Sequence, residues 1–478
     1  MHESPGPVGN AVDEVDEPIL SRGKVALLVA ALLSSVISFQ LNSSMLVPAI
    51  GEINKALGGN AYNSMGNYFF LSGAIISVIC TRWSDFIGRK RVLIGVMAVT
   101  VVGTVICIIA TALPLMVFGR ILQGGSVISF ALSYMILKEH LAGPAFGACV
   151  GVISAINGGV AGLDSLLGGV MADKWGFRSI FVLILVVGII AIAFASIAVP
   201  GGRPKAGATG SMDWAGGVLM ALVVAGVNLF LTEGGTGGWF SGGALAWIVV
   251  SAVALAVFLV VESRIASPLI AVRHMRSRQV WPVITSVILS LSSFFVVLNF
   301  IVPAIAEDSK VGYALGGTTM ALLFLTPAAL LGLGSAPFAG RLAVRTSFVV
   351  TLRAGIVATL VVTAATALFA TDKWVVFVLM LLFGIVYNGL LLTSASGMGV
   401  VQAPDDAPGS LPGISNACFG VGASIGFAWA GPIVGKGTVA GYQTSLWVCV
   451  VIGVFALLSA FLLQAKPLSS AATRGSAS

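Results

Sequence analysis

Apolar runs of about twenty residues recur along this chain, separated by short stretches that carry most of its charge. A helix crosses the hydrocarbon core of a bilayer in about 20 residues, so each run reads as one membrane span. The pattern predicts fourteen of them, at 24–48, 63–83, 91–112, 113–137, 146–171, 178–199, 214–232, 243–262, 280–303, 315–338, 348–370, 374–398, 411–434 and 443–464. The predicted fold class is all-α, a polytopic membrane protein.

Two stretches interrupt the series differently. Pro200 to Met212 is rich in Gly, Pro and Ala, and Glu262 to Arg278 is the most charged central segment. They bracket spans seven and eight, so the chain divides as six helices, two, then six. The expected division is a tail over 1–22, a six-helix bundle over 23–199, a linker with two extra spans over 200–279, a second bundle over 280–465 and a tail over 466–478. Two six-helix halves suggest duplication, with a site near the midplane where they meet. The N-terminal stretch is acidic (Asp13, Glu14, Asp16, Glu17) and lacks the basic region and short apolar core of a signal peptide. Both tails are expected to be disordered.

Composition agrees with the spans. The 478 residues are 58% hydrophobic and 9% charged, where a soluble domain carries about 25% charged residues. Too little charge is present to give a globule of this size a polar surface. The net charge of +7 is explained by the loops rather than by nucleic acid. With both termini cytoplasmic, 18 of the 25 Lys and Arg fall inside and 6 outside, leaving Arg120 within a span. That is the positive-inside bias of a cell-membrane protein. The 59 glycines suit close helix packing in lipid. The five cysteines lie in or beside apolar runs without CxxC or His spacing, which predicts small buried hydrophobes and no metal site. His2, His140 and His274 lie outside the predicted core, and no GxxxxGK[ST] run occurs. No enzyme chemistry, ATP coupling or cofactor is expected.

Thr81-Arg82-Trp83-Ser84-Asp85-Phe86-Ile87-Gly88-Arg89-Lys90-Arg91 follows span two. Gly88 permits a tight turn, Asp85 closes one helix, and the Arg/Lys cluster opens the next, a pairing able to lock helix ends. The pattern resembles the loop signature of the major facilitator superfamily, with Thr81 in place of its leading Gly. Arg120-Ile-Leu-Gln123-Gly124 resembles that family's R-x-x-Q-G signature in span four. Asp213-Trp214-Ala-Gly216, Glu262-Ser-Arg264 and Phe177-Arg178-Ser-Ile180-Phe181 resemble its fourteen-helix drug:proton antiporter branch. The resemblance implies alternating access, proton coupling, a conformational-gating role for Asp85, Gly88, Arg89 and Lys90, and a cavity lined by spans one and four. Two departures stand out. No Asp occurs nine residues before Pro48, where Phe39 stands. The G-x-G-P-x-x-G-G of span five is Gly162-Leu-Asp164-Ser165-Leu-Leu-Gly168-Gly169.

Arg120 and Asp164 are charges inside apolar runs. Each lies seven residues from a span end, roughly 10 Å deep at about 1.5 Å per residue. A charge at depth costs roughly 2.5–3.5 kcal/mol even on a mild scale, so both are expected to face protein or water. They are the proton-coupling candidates, expected to pair directly or through Asn42 and Gln40, with protonation of Asp164 loosening the cluster; a static pair orienting spans four and five is the equal alternative. Substrate-binding candidates are Gln40, Asn42, Arg120, Gln123, Asn157, Asn388 and Asn416, polar groups at plausible cavity positions. Asn228, Asn299 and Tyr387 occupy similar positions.

The functional expectation is a secondary transporter, monomeric, with a small organic substrate, protons and the lipid bilayer as partners. Multidrug or toxic-compound efflux is the leading form. Uptake of one metabolite, possibly anionic given Arg120, is the alternative, and a non-transporting membrane sensor is the third.

Overall fold

The computed structural model describes residues 21–141, 143–201, 212–265, 277–401 and 410–464. The predicted C-terminal tail, all of the N-terminal tail but residues 21 and 22, and most of the two predicted linkers lie outside them. Fourteen long helices follow one another, with no strand among the described residues. They are α1 (Gly23–Leu57), α2 (Ala61–Ile87), α3 (Arg89–Ile109), α4 (Leu113–His140), α5 (Gly143–Trp175), α6 (Arg178–Ala198) and α7 (Trp214–Gly237). Then come α8 (Gly242–Glu262), α9 (Trp281–Glu307), α10 (Gly317–Arg345), α11 (Phe348–Leu368), α12 (Lys373–Met398), α13 (Ser410–Val434) and α14 (Val439–Phe461). Among the described residues thirteen are long and apolar enough to cross a bilayer; α5, at 33 residues, completes the predicted fourteen. A helix satisfies its own backbone, the requirement that lipid imposes.

Several helices outrun their predicted spans. Hydropathy registers only the lipid-facing part, whereas α2 runs on to Gly88, whose φ of 95° stops it. The first predicted span ends at 48, but its helix ends at Ser44 and continues past a break as a 3-10 turn, Val47–Ala49, and the amphipathic segment Ile50–Leu57. Pro48 is the physical cause, because it offers no N–H to the carbonyl of Ser44.

The two sets of six helices repeat one packing pattern. In the first, α1 packs on α6, α6 on α3, α3 on α4 and α2 on α4; in the second, α9 packs on α14, α14 on α11, α11 on α12 and α10 on α12. Each contact in the first set recurs eight helices later. The sets meet along two seams, α2 with α13 and α5 with α10, which exchange under the same relation. Glycines bring the backbones together within each set: a Cβ on Gly103 of α3 would stand 2.6 Å from the Gly119 carbonyl of α4.

The inserted pair α7–α8 packs against itself, and α7 also lies on both α2 and α13. Its anchor is a buried reciprocal amide pair. Asn228 Nδ2 donates to Asn67 Oδ1 at 2.7 Å, Asn67 Nδ2 donates back at 3.1 Å, and Asn228 Nδ2 also reaches the Ser424 carbonyl at 3.1 Å.

Candidate functional site

A small cavity of about 60 Å³ lies between the two sets of helices. Its walls mix three chemistries: the amides Gln40, Asn299 and Asn388, the hydroxyls Ser43, Ser44, Ser165 and Tyr387, and the rings Phe39, Phe295 and Phe419. Among the described residues no charged side chain lines it. A void of this size holds about four waters.

Local helix geometry builds this wall. Leu291–Phe295 and Val297–Ile301 in α9, Ala321–Leu325 in α10 and Gly384–Leu391 in α12 are π-helical. They carry Phe295, Leu298, Asn299, Leu325, Tyr387 and Asn388, most of the second set's contribution to the cavity. Such widened turns concentrate at functional sites. Prolines help to create them and to free carbonyls nearby. Pro303 has no N–H for the Asn299 carbonyl, which accepts instead from the Tyr62 hydroxyl of α2 at 3.1 Å. Pro48 likewise frees the Ser44 carbonyl, which accepts from the Ser165 hydroxyl at 3.4 Å.

Asp164 is buried one hydroxyl behind the cavity wall. Ser44 Oγ donates to its Oδ2 at 2.6 Å, Gln40 Nε2 donates to Ser44 Oγ at 2.9 Å, and Ser165 Oγ lies 3.3 Å from Asp164 Oδ1. Gln40 and Ser44 are four residues apart, so both face α5.

Arg120 is also buried, and the expected ion pair with Asp164 is not formed. Its Nη1 donates to Gln123 Oε1 at 2.8 Å, its Nη2 to the Asn42 carbonyl at 3.0 Å and its Nε to the Met65 carbonyl at 3.5 Å. The guanidinium carbon stands 4.1 Å from the centre of the Phe69 ring. Gln123 continues to Thr104 at 2.8 Å. The reason is the end of the first stretch of α1: its last carbonyls lack partners and carry the negative end of the helix dipole, which suits a cation. Arg120 and Asp164 therefore dock on different faces of one helix end, Asp164 against Gln40 and Ser44, Arg120 against Asn42.

Of the sequence candidates, Gln40 and Asn388 line the cavity. Asn42, Arg120 and Gln123 stand outside its lining, in the cluster joining α1 to α4, so span four does not line the cavity as expected. The side chains of Asn157 and Asn416 lie outside the described residues. Ser43 and Ser44 were missed; their position one helical turn ahead of Pro48 was the signal.

At the face bearing the basic loop, Asp85 pairs with Arg82 at 3.2 Å and Arg89 at 3.5 Å, and Arg89 Nε reaches Glu139 at 3.0 Å. Lys90 Nζ donates to the Ser196 carbonyl at 2.7 Å. This knot ties the ends of α2, α3, α4 and α6. At the opposite face, acids bridge the two sets. Asp173 of α5 accepts from Gly317 N at 3.2 Å, Thr318 N at 2.9 Å and Thr318 Oγ1 at 2.6 Å, capping α10. Glu307 of α9 accepts from Gly51 N at 2.6 Å.

Two like bundles closing on a shared polar cavity form the architecture of a secondary transporter. The family model of the Major Facilitator Superfamily matches residues 32–427. The chain is 32% identical over 417 residues, 85% of this chain and 86% of the other, to a uridine/deoxyuridine transporter of Lactococcus lactis subsp. cremoris (strain MG1363). It is 24% identical over 277 residues to the multidrug transporter protein MdtP of Bacillus subtilis (strain 168), covering 57% of this chain and 50% of that one. The structure of the xylose transporter XylE from E. coli superposes with a TM-score of 0.61 at 14% identity, covering 93% of this chain and 100% of that one. The chain belongs to the major facilitator superfamily.

Proposed function

We propose that the chain is a proton-coupled transporter of small, neutral, polar solutes of the nucleoside class, working by alternating access across the cell membrane. The observation that carries this reading is the cavity lining: amides and hydroxyls to bind a sugar and a base edge, aromatic rings to stack a planar base, and no charged side chain among the described residues. Similarity over most of the chain to a protein named as a uridine/deoxyuridine transporter supports it. An anionic substrate loses its support, because Arg120 is engaged by two carbonyls and an amide. Gln40 and Asn388 are the substrate-binding residues in this reading.

Asp164 is the proton-coupling residue. Ionised, it accepts the Ser44 hydroxyl hydrogen. Protonated, it donates, and Ser44 turns its hydrogen to the Gln40 carbonyl, 3.0 Å away, or to a ligand in the cavity. Occupancy of the cavity and the charge of Asp164 are thus linked through one hydroxyl. Small-molecule sites measure about 300–1,000 Å³, so the 60 Å³ cavity is a contracted state that must widen at least about fivefold. The acid caps of Asp173 and Glu307 hold one face shut. The knot of Asp85, Gly88, Arg89 and Lys90 moves the first bundle as one body. The positive-inside bias places the basic face and both termini in the cytoplasm, and the working unit is a monomer.

Efflux of amphipathic compounds is the second reading, favoured by the alignment of half the chain with MdtP and by the aromatic cavity wall. Reconstituted vesicles with an imposed pH gradient separate the two. Gradient-driven accumulation of uridine, with no movement of lipophilic cations, supports the first reading. Proton-exchanged extrusion of such cations, with no nucleoside flux, replaces it with the second.

A further inference from the structure

The hydroxyl of Tyr387 is the anomaly in the cavity wall. The side chain is 1% exposed, it lines the cavity, and its Oη has no hydrogen-bond partner among the described residues. A buried hydroxyl without a partner is costly and rarely retained without a use. The ring is not free to look for one. It is held at 5.2 Å from the Phe383 ring and 6.4 Å from the Phe294 ring, inside the π-helical segment that also presents Asn388. Only the hydroxyl hydrogen rotates, so the donor is set in place before any ligand arrives, which favours binding. Asn299, which also lines the cavity, donates one N–H of its Nδ2 to the Phe295 carbonyl at 3.0 Å. That fixes the amide and leaves its Oδ1 as an acceptor.

We propose that Tyr387 is a specificity-determining residue that selects a ring carbonyl. Its hydroxyl donates to the carbonyl oxygen of a neutral lactam-type base, and Asn299 Oδ1 accepts the adjacent ring N–H. A donor and an acceptor in one cavity lining match the N–H/C=O edge of such a ring and discriminate against rings that lack it, because the buried polar groups are then left unpaired. This rests on the proposed function and narrows its substrate class.

The test compares wild type with Tyr387→Phe in proteoliposomes, measuring initial rates with uridine and with 4-deoxyuridine, which keeps the C2 carbonyl but lacks the C4 carbonyl assigned to Tyr387 and the adjacent N3–H. Wild type is expected to favour uridine about tenfold to a hundredfold in kcat/KM, the scale of the two hydrogen bonds that the analogue loses. Tyr387→Phe should raise KM for uridine about five- to tenfold, change kcat less than twofold and leave the analogue unaffected, so the preference falls by the same factor and the remainder rests on Asn299. Its thermal midpoint should match or exceed that of wild type, since the lost hydroxyl has no partner in the protein. A variant with wild-type KM, a variant that fails to fold, or a wild type without preference for uridine overturns the assignment while leaving nucleoside transport standing. A wild type that moves neither compound overturns the proposed function as well.

Discussion

Replacing Asp173 with Ala removes three hydrogen bonds that cross from one bundle to the other, to Gly317 N, Thr318 N and Thr318 Oγ1. In the proposed alternating-access cycle all three break when that face opens, so their loss acts on one conformation and shifts the equilibrium between conformations. The site is exposed, which keeps the magnitude at that of a helix N-cap, about 0.5–2 kcal/mol. At 1.4 kcal/mol per tenfold, the population open at that face should rise by about twofold to thirtyfold. Spin labels at Lys174→Cys and Lys310→Cys, in a background cleared of the five native cysteines, report the separation of the bundles by pulsed dipolar spectroscopy. The long-distance fraction should grow in Asp173→Ala. Adding Glu307→Ala, which removes the separate bond to Gly51 N, should enlarge it further by a roughly additive free energy. Distance distributions identical to the parent would refute the claim that these acids hold the face shut.

Three further outcomes follow from the same geometry. Asp164→Asn should abolish accumulation driven by a pH gradient while sparing substrate exchange at equal concentrations; full gradient dependence in counterflow-competent vesicles would remove Asp164 from coupling. Gly88→Ala places a Cβ at φ 95°, ψ 137°, at a cost of about 1–3 kcal/mol, and should lower the melting temperature in detergent; an unchanged midpoint would mean the turn relaxes freely. Asn228→Leu strips Asn67 of its reciprocal amide in a buried setting and should destabilise the protein by about 1–3 kcal/mol, read as a lowered chemical-denaturation midpoint. A neutral or stabilising effect there would show that the amide pair does not anchor α7.

The helices were legible because span length and apolarity are properties of contiguous residues. The buried charges were legible for the same reason, since Arg120 and Asp164 interrupt runs of Leu, Val, Ile and Gly. Their partners were not. Which face of α1 each one meets depends on where Ser44 ends the helix and on the close approach of α5, where a Cβ on Gly168 would collide with the Met45 carbonyl. Neither is a local pattern. The expectation that span four lines the cavity came from resemblance, and it gave way because α1's free carbonyls draw Arg120 into a cluster outside the cavity wall. One signal could have been read. Ser44 and Asn299 each sit four residues before a proline, Pro48 and Pro303, and both line the cavity. The π-helical segments, by contrast, have no signature in hydrophobic spacing.

The anchoring of α7 by Asn228 to both α2 and α13 has a consequence for how solutes arrive. Along that edge of the molecule the crevice between the bundles is roofed by a third helix, so a compound dissolved in the bilayer leaflet finds no sideways doorway there. Solutes on that flank must come and go through water.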